Sequence, residues 1–121
     1  TLSDLSILDA KDIRRSMPRF SAEHYAANLK LLPAIDQIAK DIGCTRAQLA
    51  LAWLLNRDEI IIPIPGTTHE QHMRDNLAAA QIVLSAAQME VLEMSINQRT
   101  VSGPRYDAQA TSEVDTEEFE A

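Results

Sequence analysis

The segment Ile60-Ile61-Ile62-Pro63-Ile64-Pro65-Gly66-Thr67-Thr68 constrains the fold most. It is an apolar run too short for a helix, closed by a Pro-Gly-Thr turn, and it runs into His69-Glu70-Gln71-His72-Met73-Arg74-Asp75-Asn76. The order reads as strand, tight turn, helix start. Apolar residues on both faces are the pattern of a buried parallel strand with neighbours on each side, yet no second convincing strand is found in the chain. A lone strand would bury donors and acceptors without a ladder partner, at a cost of about 1 to 3 kcal/mol per unsatisfied group. The missing strands must therefore come from a larger α/β sheet or barrel, or from a second copy of the chain.

The 121 residues have room for one modest core, and 45% apolar content belongs to the globular class. A net charge of −7, with no Lys/Arg cluster, argues against nucleic acid and against anionic membrane surfaces as partners. Cys44 is the single cysteine, so no intramolecular disulfide and no cysteine-rich zinc site can form. A reducing cytoplasm is the expected location. The chain lacks a secretory signal pattern and a stretch of 18 apolar residues.

Along the chain, Asp9 can cap a short helix over residues 10–16 that Met17-Pro18 ends. From Ala22 the spacing Leu29, Leu32, Ile35, Ala39, Ile42 marks one helical face that stops at Gly43, a suitable left-handed residue. Pro33 predicts a kink there, or two helices meeting near Leu31. Thr45 with Gln48 forms a capping box for a helix to Asn56, whose Leu49, Leu51, Trp53, Leu54 and Leu55 demand apolar contact on more than one side. A helix over 70–80 follows the turn, and Ser85 with Gln88 opens the last one, striped by Met89, Leu92 and Ile96. Beyond Asn97 come a turn at residues 100–104 and an acidic end with Glu113, Asp115, Glu117, Glu118 and Glu120, expected to be mobile.

Chemistry concentrates after the strand. Backbone amides from Gly66 onward, the hydroxyls of Thr67 and Thr68, and the positive end of the following helix together suit a phosphate. The alternative is an ordinary turn with Thr68 as N-cap. His69, His72 and Arg74 place cations near a helix N-terminus, where an anion would justify them. Asp75 and Asn76 offer an acceptor and a donor–acceptor pair suited to an adenine edge, or simply to solvent. His69 and His72 lack a third metal ligand at matching spacing, and no metal is expected. Tyr25, Tyr106 and His24 have no lysine or carboxylate constellation around them, so packing is the reading for these three.

The stretch Gly43-Cys44-Thr45-Arg46-Ala47-Gln48-Leu49-Ala50-Leu51-Ala52-Trp53-Leu54-Leu55, then Ile62-Pro63-Ile64-Pro65-Gly66-Thr67, then Arg74-Asp75-Asn76, resembles the aldo-keto reductases. Met17-Pro18-Arg19-Phe20 and Asn28-Leu29 extend the match upstream. The resemblance spans nearly all of this chain and about the last third of the family's length. It implies an α/β fold, the C-terminal portion of a (β/α)8 TIM barrel, in a chain that is itself mostly helical with one parallel-type strand. Residues 1–97 would hold the seventh-unit helices, the eighth strand and helix and a capping helix. Residues 98–121 would be a C-terminal loop and acidic tail.

Family members transfer a hydride from a nicotinamide cofactor, usually NADPH, to an aldehyde or ketone. The tyrosine, lysine, aspartate and histidine that support this step belong to earlier strands, so no catalytic residue is expected here. Carried over by position, Gly66, Thr67 and Thr68 match the loop at the adenosine phosphate, and His72 falls where a basic residue often faces the 2′-phosphate. Arg74 joins this set as a second cation, and Asp75 with Asn76 matches the adenine-contacting pair. Thr68 and His69 stand where many NADPH-preferring members have Lys or Arg, which keeps NAD open beside NADP. The expected function is the cofactor-binding part of an NADP-dependent aldo-keto reductase acting on a small carbonyl substrate. The alternative is a non-catalytic truncated barrel piece whose lone strand pairs with a partner, either the rest of the barrel or another copy.

Overall fold

The computed structural model describes residues 4–114. They form six α-helices: α1 (Ala22–Leu29), α2 (Leu32–Ile42), α3 (Arg46–Arg57), α4 (Glu70–Ala78), α5 (Ala86–Ser95) and α6 (Ala108–Ser112). Two compact units result, one from the described residues of Thr1–Leu31 and Asn97–Ala121, the other from Leu32–Ile96.

The Leu32–Ile96 unit carries a core of Ile35, Ile38, Ala39, Leu49, Ala52, Leu84 and Leu92, edged by Ile42, Cys44, Trp53, Ile82 and Met89. Leu49 and Ala52 are its most enclosed residues on α3, at 1% and 0% exposure. The expected helix ends are present. α2 begins at Leu32, with Pro33 in its first turn where a missing N–H costs nothing, so the long apolar pattern is divided between α1 and α2. At its other end Gly43 adopts φ 80°, the Gly43 N–H donates to Lys40 O at 3.2 Å and the Cys44 N–H donates to Ala39 O at 2.9 Å. This is a Schellman closure, and it turns the chain directly into the next cap. Both capping boxes form, Thr45 with Gln48 on α3 and Ser85 with Gln88 on α5.

Asn56 fixes the link between α4 and α5. Its amide nitrogen donates to Ile82 O at 2.9 Å, and its Oδ1 accepts from the Leu84 N–H at 3.1 Å. Leu84 is thereby held in the core. On the side of α3 toward α5, the Arg57 guanidinium lies 5.1 Å from the Trp53 ring centre and donates to Glu93 at 2.7 Å.

The expected strand is not formed. Among the described residues there is no β-strand, and residues 61–67 have no regular secondary structure. A strand is defined by its ladder, and among the described residues this segment has no partner backbone paired with it. Ile60, Ile62 and Ile64 instead stand 84%, 83% and 93% exposed, while Ile61 and Pro63 between them are half-buried. The helix expected over 70–80 is shorter, because a 3-10 turn at Ala79–Gln81 closes α4.

In the other unit the helix expected over residues 10–16 is replaced by a 3-10 turn, Ile13–Arg15. Asp12 accounts for the change: its carboxylate accepts from both the backbone N–H and the guanidinium of Arg14, a local arrangement that competes with helix. Asn28 on α1 reaches Ser102, and the Arg19 Nε donates to Gly103 O at 3.0 Å. The described part of the C-terminal segment therefore has partners and a short helix, α6, capped by Asp107. Asp115, Glu117, Glu118 and Glu120, part of the tail expected to be mobile, lie outside the described residues.

Candidate functional site

The site is built where the start of α3 meets α4. Thr45 Oγ1 accepts from the Gln48 N–H at 3.2 Å, and Gln48 Oε1 accepts from the Thr45 N–H at 3.0 Å. With its oxygen engaged, Gln48 turns its amide nitrogen outward to donate to the Asp75 carbonyl on α4 at 3.2 Å. An open groove of about 400 Å³ lies between these elements. Thr45, Ala47, Ala50 and Leu51 line it from the α3 side, Pro65, Gly66 and Thr67 from the turn, and His72, Asp75 and Asn76 from α4.

Of the sequence-predicted residues, the groove gathers Gly66, Thr67, His72, Asp75 and Asn76. Thr67 rather than Thr68 engages the helix start: its Oγ1 accepts from the His69 N–H at 3.1 Å. His69 is the N-cap residue and makes no side-chain cap bond, so the first-turn amides of α4 are left without one. Thr68 is exposed and does not line the groove. Arg74 is also outside it, and its guanidinium donates to Glu70 one turn back at 2.6 Å, with both side chains well exposed. The His69 and His72 rings meet edge to face with centres 5.1 Å apart. Gln71 Nε2 donates to the Asp75 carboxylate at 3.0 Å.

Chemically the groove combines a Thr hydroxyl and His72, in the uncapped first turn of α4, with a carboxylate and a carboxamide further along. Its apolar wall, Ala47, Ala50, Leu51 and Pro65, suits the face of a planar base. A Cβ built on Gly66 would meet nothing within 4 Å, so the turn presents open backbone there. This donor set fits an adenosine phosphate. Among the described residues no group of three or more His, Cys, Asp or Glu side chains could hold a metal ion, and no helix is long and apolar enough to cross a membrane.

Reading the sequence missed the α3 wall and the reach of Gln48. The capping box already placed Gln48 at the third position of α3, but its contact with Asp75 lies 27 residues away and is set by packing.

Residues 5–97 match the family model described as the aldo/keto reductase family. Over 103 residues the chain is 36% identical to the aldo-keto reductase yakc of Schizosaccharomyces pombe (strain 972 / ATCC 24843), whose name carries the qualifier NADP(+). That alignment covers 85% of this chain and 30% of the yeast protein. No solved structure gives a significant match. The chain belongs to the aldo/keto reductase family, whose fold is a (β/α)8 barrel. It spans about 30% of the length of that curated relative.

Proposed function

We propose that this chain is the cofactor-binding C-terminal part of an NADP(H)-linked aldo-keto reductase that reduces aldehydes or ketones. The observation that carries the proposal is the single groove shared by Gly66, Thr67, His72, Asp75 and Asn76. The α4 amides and Thr67 would hold a phosphate, and His72 would face the 2′-phosphate. Asp75 and Asn76 would read the adenine edge, one accepting and the other both donating and accepting. The bound cofactor would supply the hydride delivered to the substrate carbonyl. By family resemblance the proton-donating tyrosine and its supporting lysine, aspartate and histidine come from strands before these residues, and residues 60–64 become the eighth barrel strand once paired. The relative's NADP(+) qualifier supports NADP, with NAD as the alternative. A cytoplasmic location and a small carbonyl substrate belong to the same reading.

The test is equilibrium titration of the protein at its native length with NADPH and NADH. Tight binding of NADPH is expected, and its weakening by His72→Ala should exceed that of NADH. Failure to bind either nucleotide would sink the proposal.

A second reading rests on the exposure of Ile60, Ile62 and Ile64. In that reading the chain is a non-catalytic piece that pairs through this segment with another copy. Native mass separates the two readings: a species built from units near 13.4 kDa favours self-association, and a single chain several times heavier favours the barrel.

A further inference from the structure

We propose that Gln48 is a positioning residue for the adenosine end of the cofactor site, an inference that rests on the cofactor reading above. Gln48 itself is not among the groove-lining residues, but its carboxamide is divided between two tasks. Its Oε1 accepts from the Thr45 N–H at 3.0 Å and from the Thr45 hydroxyl at 3.1 Å, which fixes the amide plane and leaves only the NH₂ group to face α4. That group donates to the Asp75 carbonyl at 3.2 Å. The Asp75 carbonyl also accepts from the Ala79 N–H, so the side chain uses a second lone pair and does not interrupt the helix. One rigid cap therefore holds the middle of α4 at Asp75 and Asn76, two of the residues that line the groove. The beginning of α4 lacks a side-chain cap, so the Gln48 link sets how far Asp75 and Asn76 stand from the turn at Gly66. Polar recognition of a base edge tolerates displacements of only about 0.5 Å, so this link controls affinity for adenosine without touching it.

The two halves of the carboxamide can be removed separately. Gln48→Glu keeps an acceptor for Thr45, since Glu serves a capping box as well as Gln, and replaces the donor to Asp75 with a repelling oxygen. Gln48→Lys does the reverse. The probes are adenosine, followed by NMR, and adenosine 2′,5′-bisphosphate, followed by calorimetry, with the protein at its native length. Gln48→Glu should weaken both probes about tenfold, the order of effect expected for a displaced binding group, with a melting temperature within about 4 °C of the parent. Gln48→Lys should bind adenosine nearly as well as the parent while melting lower. Should Gln48→Glu fail to fold, Gln48→Met, neutral and similar in length, is expected to show the same weakening. Unchanged adenosine affinity in Gln48→Glu or Gln48→Met, or a loss confined to the charged bisphosphate, would overturn the inference. Absence of bisphosphate binding by the parent protein would instead remove the cofactor reading beneath it.

Discussion

Asn28 grips Ser102 on both sides of one residue's backbone: its Nδ2 donates to Ser102 O at 3.0 Å, and its Oδ1 accepts from the Ser102 N–H at 2.7 Å. His24, one turn earlier on α1, adds a contact of 2.8 Å between its Nδ1 and the Ser102 hydroxyl. Side chains of a single helix thus hold a segment more than 70 residues further along the chain. Net contributions of about 0.5 to 1.5 kcal/mol per bond put the cost of Asn28→Ala near 1 to 3 kcal/mol. Urea unfolding measures it, and a change under about 0.5 kcal/mol, the range of neutral surface substitutions, would show that the grip contributes little.

The two left-handed glycines allow backbone strain to be separated from crowding. Gly43 has φ 80° and a Cβ there would meet nothing within 4 Å, whereas at Gly103, φ 82°, it would lie 2.8 Å from the His24 ring. Gly43→Ala should cost about 1 to 2 kcal/mol, the conformational penalty alone. Gly103→Ala should cost more, and the excess should vanish when His24 is also alanine. Equal costs for the two glycines in thermal unfolding would contradict the crowding.

The cations of α4 should behave differently from each other. His72 lines the groove, so His72→Ala is expected to reduce NADPH affinity more than NADH affinity. Arg74 is engaged by Glu70 on the exposed side, an (i, i+4) pair worth about 0.3 to 0.5 kcal/mol. Arg74→Ala should therefore leave the NADPH to NADH ratio where it was. A ratio that falls more for Arg74→Ala than for His72→Ala would reverse the assignment.

Asp36 on α2 pairs with Arg46 on α3, with Arg46 Nη2 donating to its carboxylate at 2.6 Å. That hydrogen bond, more than simple charge attraction, holds the Asp36 carboxyl below its ordinary value of 3.8. A carboxyl whose pKa is lower in the folded state contributes stability above 3.8 and loses it as pH falls through the folded value. Asp36→Asn should leave a shallower loss of stability on acidification than the parent shows, read from urea midpoints between neutral pH and pH about 2. Parallel acid limbs in the two proteins would contradict the pairing.

What the sequence could reveal was decided by the range of each interaction. The caps at Thr45 and Ser85, the Gly43 stop and the division at Pro33 all follow from neighbours a few residues apart, and all are present. Asp9 and Asp12 show the limit even at short range: each accepts from the backbone N–H two residues on, so Asp9 closes only a turn and Asp12 opens a short 3-10 helix in place of the expected α-helix. The strand expected at residues 60–64 is not formed: apolar content suggested it, but pairing depends on a neighbour that composition does not supply. In the candidate site, residue types pointed to the turn and α4, where Gly66, Thr67, His72, Asp75 and Asn76 line one groove. Arg74 pairs with Glu70 outside the groove, and Gln48, which does not line it, reaches Asp75 through a contact that no local pattern announces.

The placement of proline between the isoleucines has a directional consequence. Backbone N–H groups two residues apart along a strand point to the same edge, so Pro63 and Pro65 would strip donors from one edge if residues 60–65 were drawn straight. The opposite edge, served by Ile60, Ile62 and Ile64, would keep every N–H. The segment is chemically two-sided: a neighbour that needs donors can dock in regular register only along the isoleucine edge. Along the proline edge it must rely on the remaining Ile61 N–H and on carbonyls. An incoming backbone thus meets a built-in asymmetry that disfavours symmetrical stacking of this sequence on both sides of itself.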